Sequence, residues 1–234
     1  MIDRDILIQR AMENLSGDDL IIDSSIAGLI DHTLLRPDAT EGDIIHLCEE
    51  AKNYGFFGVC VQPYWVPLAH RLLKYSNVKV ITVCGFPDGA NITDVKVQEA
   101  RMANIQGADE IDMVMNIGAF KSGDFSIVVD DIKKVKRALR PGTILKVIIE
   151  TPLLTEEEII KASILAKEGG ADFVKTGTGR IGAVKVRDVE VIKKAVDIPV
   201  KAAGGIRTMG FASELLKAGA ERLGTSGSIR VAST

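Results

Sequence analysis

Residues 170–175 read Gly170-Ala171-Asp172-Phe173-Val174-Lys175, a helix-ending glycine followed by an acid and then a short β-branched run. The same junction recurs twice. Gly107-Ala108-Asp109 precedes Glu110-Ile-Asp-Met-Val-Met, and Gly219-Ala220-Glu221 precedes Arg222-Leu-Gly. The junctions lie 63 and 49 residues apart, about two βα units each if a unit takes roughly 30 residues. Further β-branched runs at Leu29–Leu34, Gly58–Val61, Val78–Cys84, Ile144–Ile149 and Pro199–Ala202 bring the strands to eight, with the three junctions before the fourth, sixth and eighth.

Eight βα units in 234 residues match the size of a (β/α)8, or TIM, barrel. The expected fold class is therefore α/β, a (β/α)8 barrel with an additional N-terminal helix over residues 3–15. An open doubly wound sheet is the weaker alternative, because no Gly-x-Gly-x-x-Gly turn follows an early strand. Helix ends support the alternation. Thr155 with Glu158 reads as a capping box opening the helix Glu156–Lys167, and Thr40 as the cap of a helix that stops near Gly55. No long Gly/Pro/Ser linker divides the chain, so one domain over 1–234 is expected, with a helical extension within 1–24.

Composition narrows the function. Hydrophobic residues make up 46% and charged residues 26%, with a formal net charge of −3, so no basic field invites nucleic acid or an anionic membrane. No run of about 18 apolar residues occurs and the start lacks a signal-peptide pattern. Cys48, Cys60 and Cys84 are an odd set among apolar runs, which suits reduced, buried thiols and a cytoplasmic location. His32, His46 and His70 have no metal-ligand spacing, so neither a metal nor a cofactor is expected.

Barrel enzymes place their chemistry at the C-terminal ends of the strands. Alternation along Ile111–Asn116 turns Asp112 and Asn116 inward if Ile111, Met113 and Met115 face the helices. The same parity aligns Phe173, Lys175 and Gly177 on the sixth strand and Lys201, Ala203 and Gly205 on the seventh. A single strand lysine commonly buries its stem and sends its head to solvent. Two lysines converging with a carboxylate point instead to chemistry. At a reference pKa near 10.4, roughly one lysine in 2,500 is a neutral amine at pH 7, whereas desolvation and a neighbouring ammonium raise that fraction and make a nucleophile. The glycine-rich loops Ala203-Gly204-Gly205-Ile206-Arg207-Thr208 and Gly224-Thr225-Ser226-Gly227-Ser228 follow the seventh and eighth strands, where barrels hold phosphate. Arg180 lies near enough to Lys175 in sequence to add a phosphate contact, or to be a solvated surface arginine.

From Asp31 onward the chain resembles the deoxyribose-phosphate aldolases. The matching stretches are Asp31-His-Thr-Leu-Leu, Gly58-Val-Cys-Val, Gly85-Phe-Pro-Asp-Gly-Ala-Asn, Glu110-Ile-Asp-Met-Val-Met-Asn-Ile-Gly-Ala, Phe173-Val-Lys-Thr, Val200-Lys-Ala-Ala-Gly-Gly-Ile-Arg-Thr and Gly224-Thr-Ser. The resemblance implies a class I aldolase that reversibly cleaves 2-deoxy-D-ribose 5-phosphate to acetaldehyde and D-glyceraldehyde 3-phosphate. It implies Lys175 as the Schiff-base lysine, Asp112 and Lys201 as the proton relay assisted by Asp31, and Thr178, Gly204, Gly205, Ser226 and Gly227 as contacts to substrate or its phosphate. The partners expected are the sugar phosphate and the aldehyde, and a homo-oligomer of an order the sequence does not set. Gly177, Arg180 and Gly227 depart from the family pattern, and the chain closes at Thr234 without the tyrosine-bearing tail of some relatives. The alternatives are a Schiff-base aldolase for another phosphorylated substrate and a barrel that binds sugar phosphate without turnover.

Overall fold

The β-branched runs form eight parallel strands in a computed structural model that describes residues 22–233. They are β1 Ile30–Leu34, β2 Gly58–Val61, β3 Lys79–Cys84, β4 Glu110–Val114, β5 Ile144–Ile148, β6 Phe173–Lys175, β7 Val200–Ala203 and β8 Arg222–Thr225. Each lies within one residue of its expected ends. They hydrogen-bond in chain order and β8 closes on β1, giving the (β/α)8 barrel. The helix expected over 3–15 lies outside the described residues. A short helix, Ser24–Ala27, capped by Asp23, leads into β1, and the preceding Ile22 bridges antiparallel to Ser233.

The helices begin and end for local reasons. Thr40 and Asp43 make a reciprocal capping box on Glu41–Tyr54, and that helix stops at Gly55 in the left-handed conformation. Thr155 and Glu158 do the same for Glu156–Glu168. At the repeated junctions Gly107, Gly170 and Gly219 have φ of 115°, 90° and 108°, a region closed to side chains with a Cβ. At the first two junctions the acid that follows stitches the sheet. Asp109 Oδ2 accepts from the Val80 amide at 2.8 Å, and Asp172 Oδ2 accepts from the Leu145 amide at 2.7 Å, so each ties the entry to its strand onto the strand before it.

Two apolar regions result. The larger lies between sheet and helices and takes Ile111, Met113 and Met115, which face outward as expected, together with Val147 and Val174. Full burial of such side chains stabilises by about 1.5–3 kcal/mol each. The smaller lies inside the barrel, with Leu35, Cys60, Ile81 and Val83 beside Phe57 and Phe86. Asn116 departs from its expected inward position. β4 ends at Val114, so strand alternation no longer applies, and the Asn116 side chain instead accepts from the Ala119 amide as the cap of Ile117–Lys121.

Candidate active site

Parity and register decide what meets inside the barrel. Asp112 stands opposite Lys146, Lys175 opposite Lys201, and Lys201 opposite Arg222. Asp112 is the hub. Its Oδ1 accepts from Lys146 Nζ at 2.7 Å, and its Oδ2 accepts from Lys175 Nζ at 2.8 Å and from Lys201 Nζ at 2.7 Å. Lys201 Nζ also lies 2.5 Å from Asp31 Oδ2, an ion contact away from the hydrogen-bonding line. Arg222 Nη1 donates to Asp31 Oδ1 at 3.0 Å and to Glu110 Oε2 at 3.3 Å, and Glu110 Oε2 lies 2.5 Å from Lys146 Nζ. All seven groups are buried. The Arg222 guanidinium is further covered by the Phe57 ring, 3.2 Å from its centroid.

Small residues make the space. A Cβ on Gly224 would come within 2.9 Å of Lys201 Cε and 3.1 Å of Ala203 Cβ, so glycine in β8 lets the Lys201 stem pass. Burial separates the two lysines chemically. Desolvation, helped by the Lys201 charge and opposed by Asp112, lowers the Lys175 pKa. Desolvation acts on Lys201 as well, but Asp112 and Asp31 outweigh it and its pKa is raised. For Asp112, burial favours the neutral acid, yet Lys146, Lys175 and Lys201 together hold its carboxyl well below the usual range. Asp31 is lowered in the same way, by Lys201, Lys146 and Arg222 against desolvation. The Cys60 thiol is pushed up by burial, which leaves it a packed neutral group.

Above this cluster, at the C-terminal ends of the strands, opens a cavity of about 590 Å³. Lys175 lines it, as do Thr178, Arg180, Gly204, Gly205, Gly224, Ser226 and Gly227, all singled out in the sequence. Asp112, Lys201 and Asp31 do not line it and lie fully buried beneath. The wall carries Arg36, Arg180, Arg207 and Arg230 and no carboxylate, a setting that favours an anion. Gly204 and Gly205 have φ of 110° and 72°, and a Cβ on Gly205 would lie 2.7 Å from that of Ala183. Arg180 reaches across the opening, where its Nη2 donates to the Leu35 carbonyl at 2.9 Å and its guanidinium lies 5.9 Å from the Phe86 ring centroid.

Several participants escape the sequence reading. Glu110, Lys146 and Arg222 share the inward parity of Asp112, Ile148 and Gly224, so alternation could have found them. Glu150 leaves no such signal. It follows β5 in the left-handed conformation with φ 58°, almost fully buried, and its carboxylate accepts from the Thr178 amide at 3.1 and 3.3 Å. It also accounts for Gly177, whose Cβ would stand 3.0 Å from Glu150 Oε1.

A lysine with a weakened hold on its proton, set at the floor of an arginine-walled cavity in a (β/α)8 barrel, can attack a carbonyl. Fold and site together define an aldolase-class barrel. The chain belongs to the DeoC/LacD family of aldolases, whose model matches residues 26–230. It is 55% identical over 217 residues to the deoxyribose-phosphate aldolase of Thermococcus gammatolerans, covering 90% of this chain and 96% of that one. Among solved structures, a putative deoxyribose-phosphate aldolase from Coccidioides immitis superimposes with a TM-score of 0.86 at 40% identity, over 97% of this chain and 94% of that one. The deoxyribose phosphate aldolase of Aeropyrum pernix, described as having a unique tetrameric structure, superimposes with a TM-score of 0.83 at 32% identity, over 98% and 96%.

Proposed function

We infer that the protein is a deoxyribose-phosphate aldolase in which Lys175 carries the substrate as a Schiff base. The observation that carries this reading is the position of Lys175: it opens onto the cavity while sharing one carboxylate oxygen with a second, fully buried lysine. The neutral amine adds to the C1 aldehyde of 2-deoxy-D-ribose 5-phosphate, and the carbinolamine loses water to give an iminium. The C2–C3 bond then breaks. Its electron pair moves into the enamine on Lys175, the C3 hydroxyl gives up its proton, and D-glyceraldehyde 3-phosphate departs. Protonation of the enamine and hydrolysis release acetaldehyde and restore the amine.

Asp112 and Lys201 are the relay. When the Lys175 nitrogen becomes a neutral carbinolamine, Asp112 loses one of the three cations beside it, so its proton affinity rises when a proton has to move. Lys201 stays charged because two carboxylates flank it, and Asp31 holds it in place. The loops that carry Gly204, Gly205, Gly224, Ser226 and Gly227, with Arg180, hold the phosphate, and Thr178 contacts the sugar. The carboxylate-free wall of the cavity supports that assignment. Among the described residues no helix is long and apolar enough to cross a membrane, and the free, buried Cys48, Cys60 and Cys84 support a cytoplasmic location. The tetramer described for the Aeropyrum pernix enzyme supports a homo-oligomer here. The test is reduction with borohydride in the presence of acetaldehyde, followed by peptide mass mapping. An ethyl adduct on Lys175 is expected, and a folded protein without it refutes the assignment.

A further inference from the structure

The seven buried charges do not form a random cluster. Asp112, Lys201, Asp31, Arg222, Glu110 and Lys146 follow one another as a closed ring, each contact joining opposite charges and the last returning to the first. Three anions meet three cations, so the ring is neutral by itself. Lys175 hangs from it at Asp112 alone. Among the described residues, its ammonium is the cation that the neutral ring leaves over.

We propose that Glu110, at the far end of the barrel from the cavity, is a positioning residue for the aldol reaction that closes the neutral ring and keeps Lys175 its only uncompensated cation. Glu110 opens β4 beside a second cavity of about 520 Å³ at the N-terminal ends of the strands, lined also by His70, Lys79, Asp109 and Arg140. It touches no substrate. Its two partners are Lys146 and Arg222, and both lead to the site, Lys146 through Asp112 and Arg222 through Asp31 and Lys201. The inference rests on Lys175 being the nucleophile.

Two routes give the same sign. Without the Glu110 charge, the ring carries a net positive charge and a protonated Lys175 becomes a second surplus cation. Lys146, freed of Glu110, also neutralises Asp112 more fully and weakens its hold on the Lys175 ammonium. The other charged or titratable groups around Lys175 are the Cys60 thiol from β2 and Arg36, Arg180, Arg207 and Arg230 of the cavity wall, while the Glu150 carboxylate after β5 is held on the Thr178 amide. None of them replaces the lost carboxylate at the far end. Removing one charge roughly 10 Å away at an effective dielectric near 20 corresponds to about one pH unit.

The experiment is the pH dependence of kcat/KM for 2-deoxyribose 5-phosphate, with reductive trapping of acetaldehyde on Lys175 followed over the same range. Glu110→Gln is expected to move the acid limb of both curves down by about one unit, Glu110→Asp to keep it near wild type, and Arg222→Met, which leaves the ring negative, to move it up. Thermal melts identify the folded variants, and either charge-removing variant alone carries the sign. Limbs that stay with the wild type, or that move the same way in both variants, overturn the proposal, because packing damage lowers rates without opposite shifts. A wild type that gives no Lys175 adduct refutes the Schiff-base assignment instead.

Discussion

Lys201→Met isolates the charge that assists desolvation in lowering the Lys175 pKa. The two Nζ atoms lie 2.8 and 2.7 Å from the same Asp112 oxygen, so they stand at most about 5.5 Å apart. At an effective dielectric near 20, two unit charges roughly 5 Å apart repel by about 3 kcal/mol, or about two pKa units. Methionine keeps the length of the stem and removes the ammonium. Lys175 then becomes the cation on which Asp112 depends, so its pKa rises, and the neutral fraction at pH 7 falls about 100-fold. Stability falls too, by about 3–5 kcal/mol, because Asp112 and Asp31 lose a shared buried partner. The assay is kcat/KM as a function of pH, with folding monitored by circular dichroism at each point. Activity should fall at every pH because a relay member is gone, and fall furthest near pH 7, with the acid limb displaced upward by about two units. A loss of the same size at every pH, with the limb where the wild type has it, would refute the reasoning and leave Lys201 a proton carrier only.

Arg180→Ala should raise KM for 2-deoxyribose 5-phosphate about tenfold with little change in kcat, the result expected of the proposed phosphate contact in an already cationic wall. Unphosphorylated 2-deoxyribose should be unaffected, and an equal loss on both substrates would assign Arg180 to bracing Leu35 instead. Gly205→Ala should cost about 2–4 kcal/mol, since φ is +72° and the new Cβ falls 2.7 Å from that of Ala183. A calorimetric scan should place Tm about 5–15 °C lower, with a higher KM for the phosphorylated substrate. An unchanged Tm would contradict the local geometry.

The eight strands and most helix ends were legible because they depend on short-range rules. β-branched runs favour strands, Thr40 and Thr155 satisfy amides three residues on, and Gly107, Gly170 and Gly219 supply the positive φ that turns a helix into a strand. Lys175, Asp112 and Lys201 stood out because a charge in an apolar strand conflicts with the pattern around it. Asn116 was misjudged because alternation was carried past the end of β4. Glu110, Lys146 and Arg222 had the right parity, but a lone charged residue near a strand end usually snorkels to solvent, and nothing local excludes that.

What the chain by itself determined was the barrel, the lysine at its mouth and the glycine loops that line the cavity, because each is written in periodicity or in a residue type at a turn. What only the tertiary structure decided was the charge balance. Register joins three carboxylates and three cations from five strands into a closed ring and leaves Lys175, on β6, outside it. Coulomb energy depends on distances between residues as remote in sequence as Asp31 and Arg222, and those distances exist only once the barrel has closed.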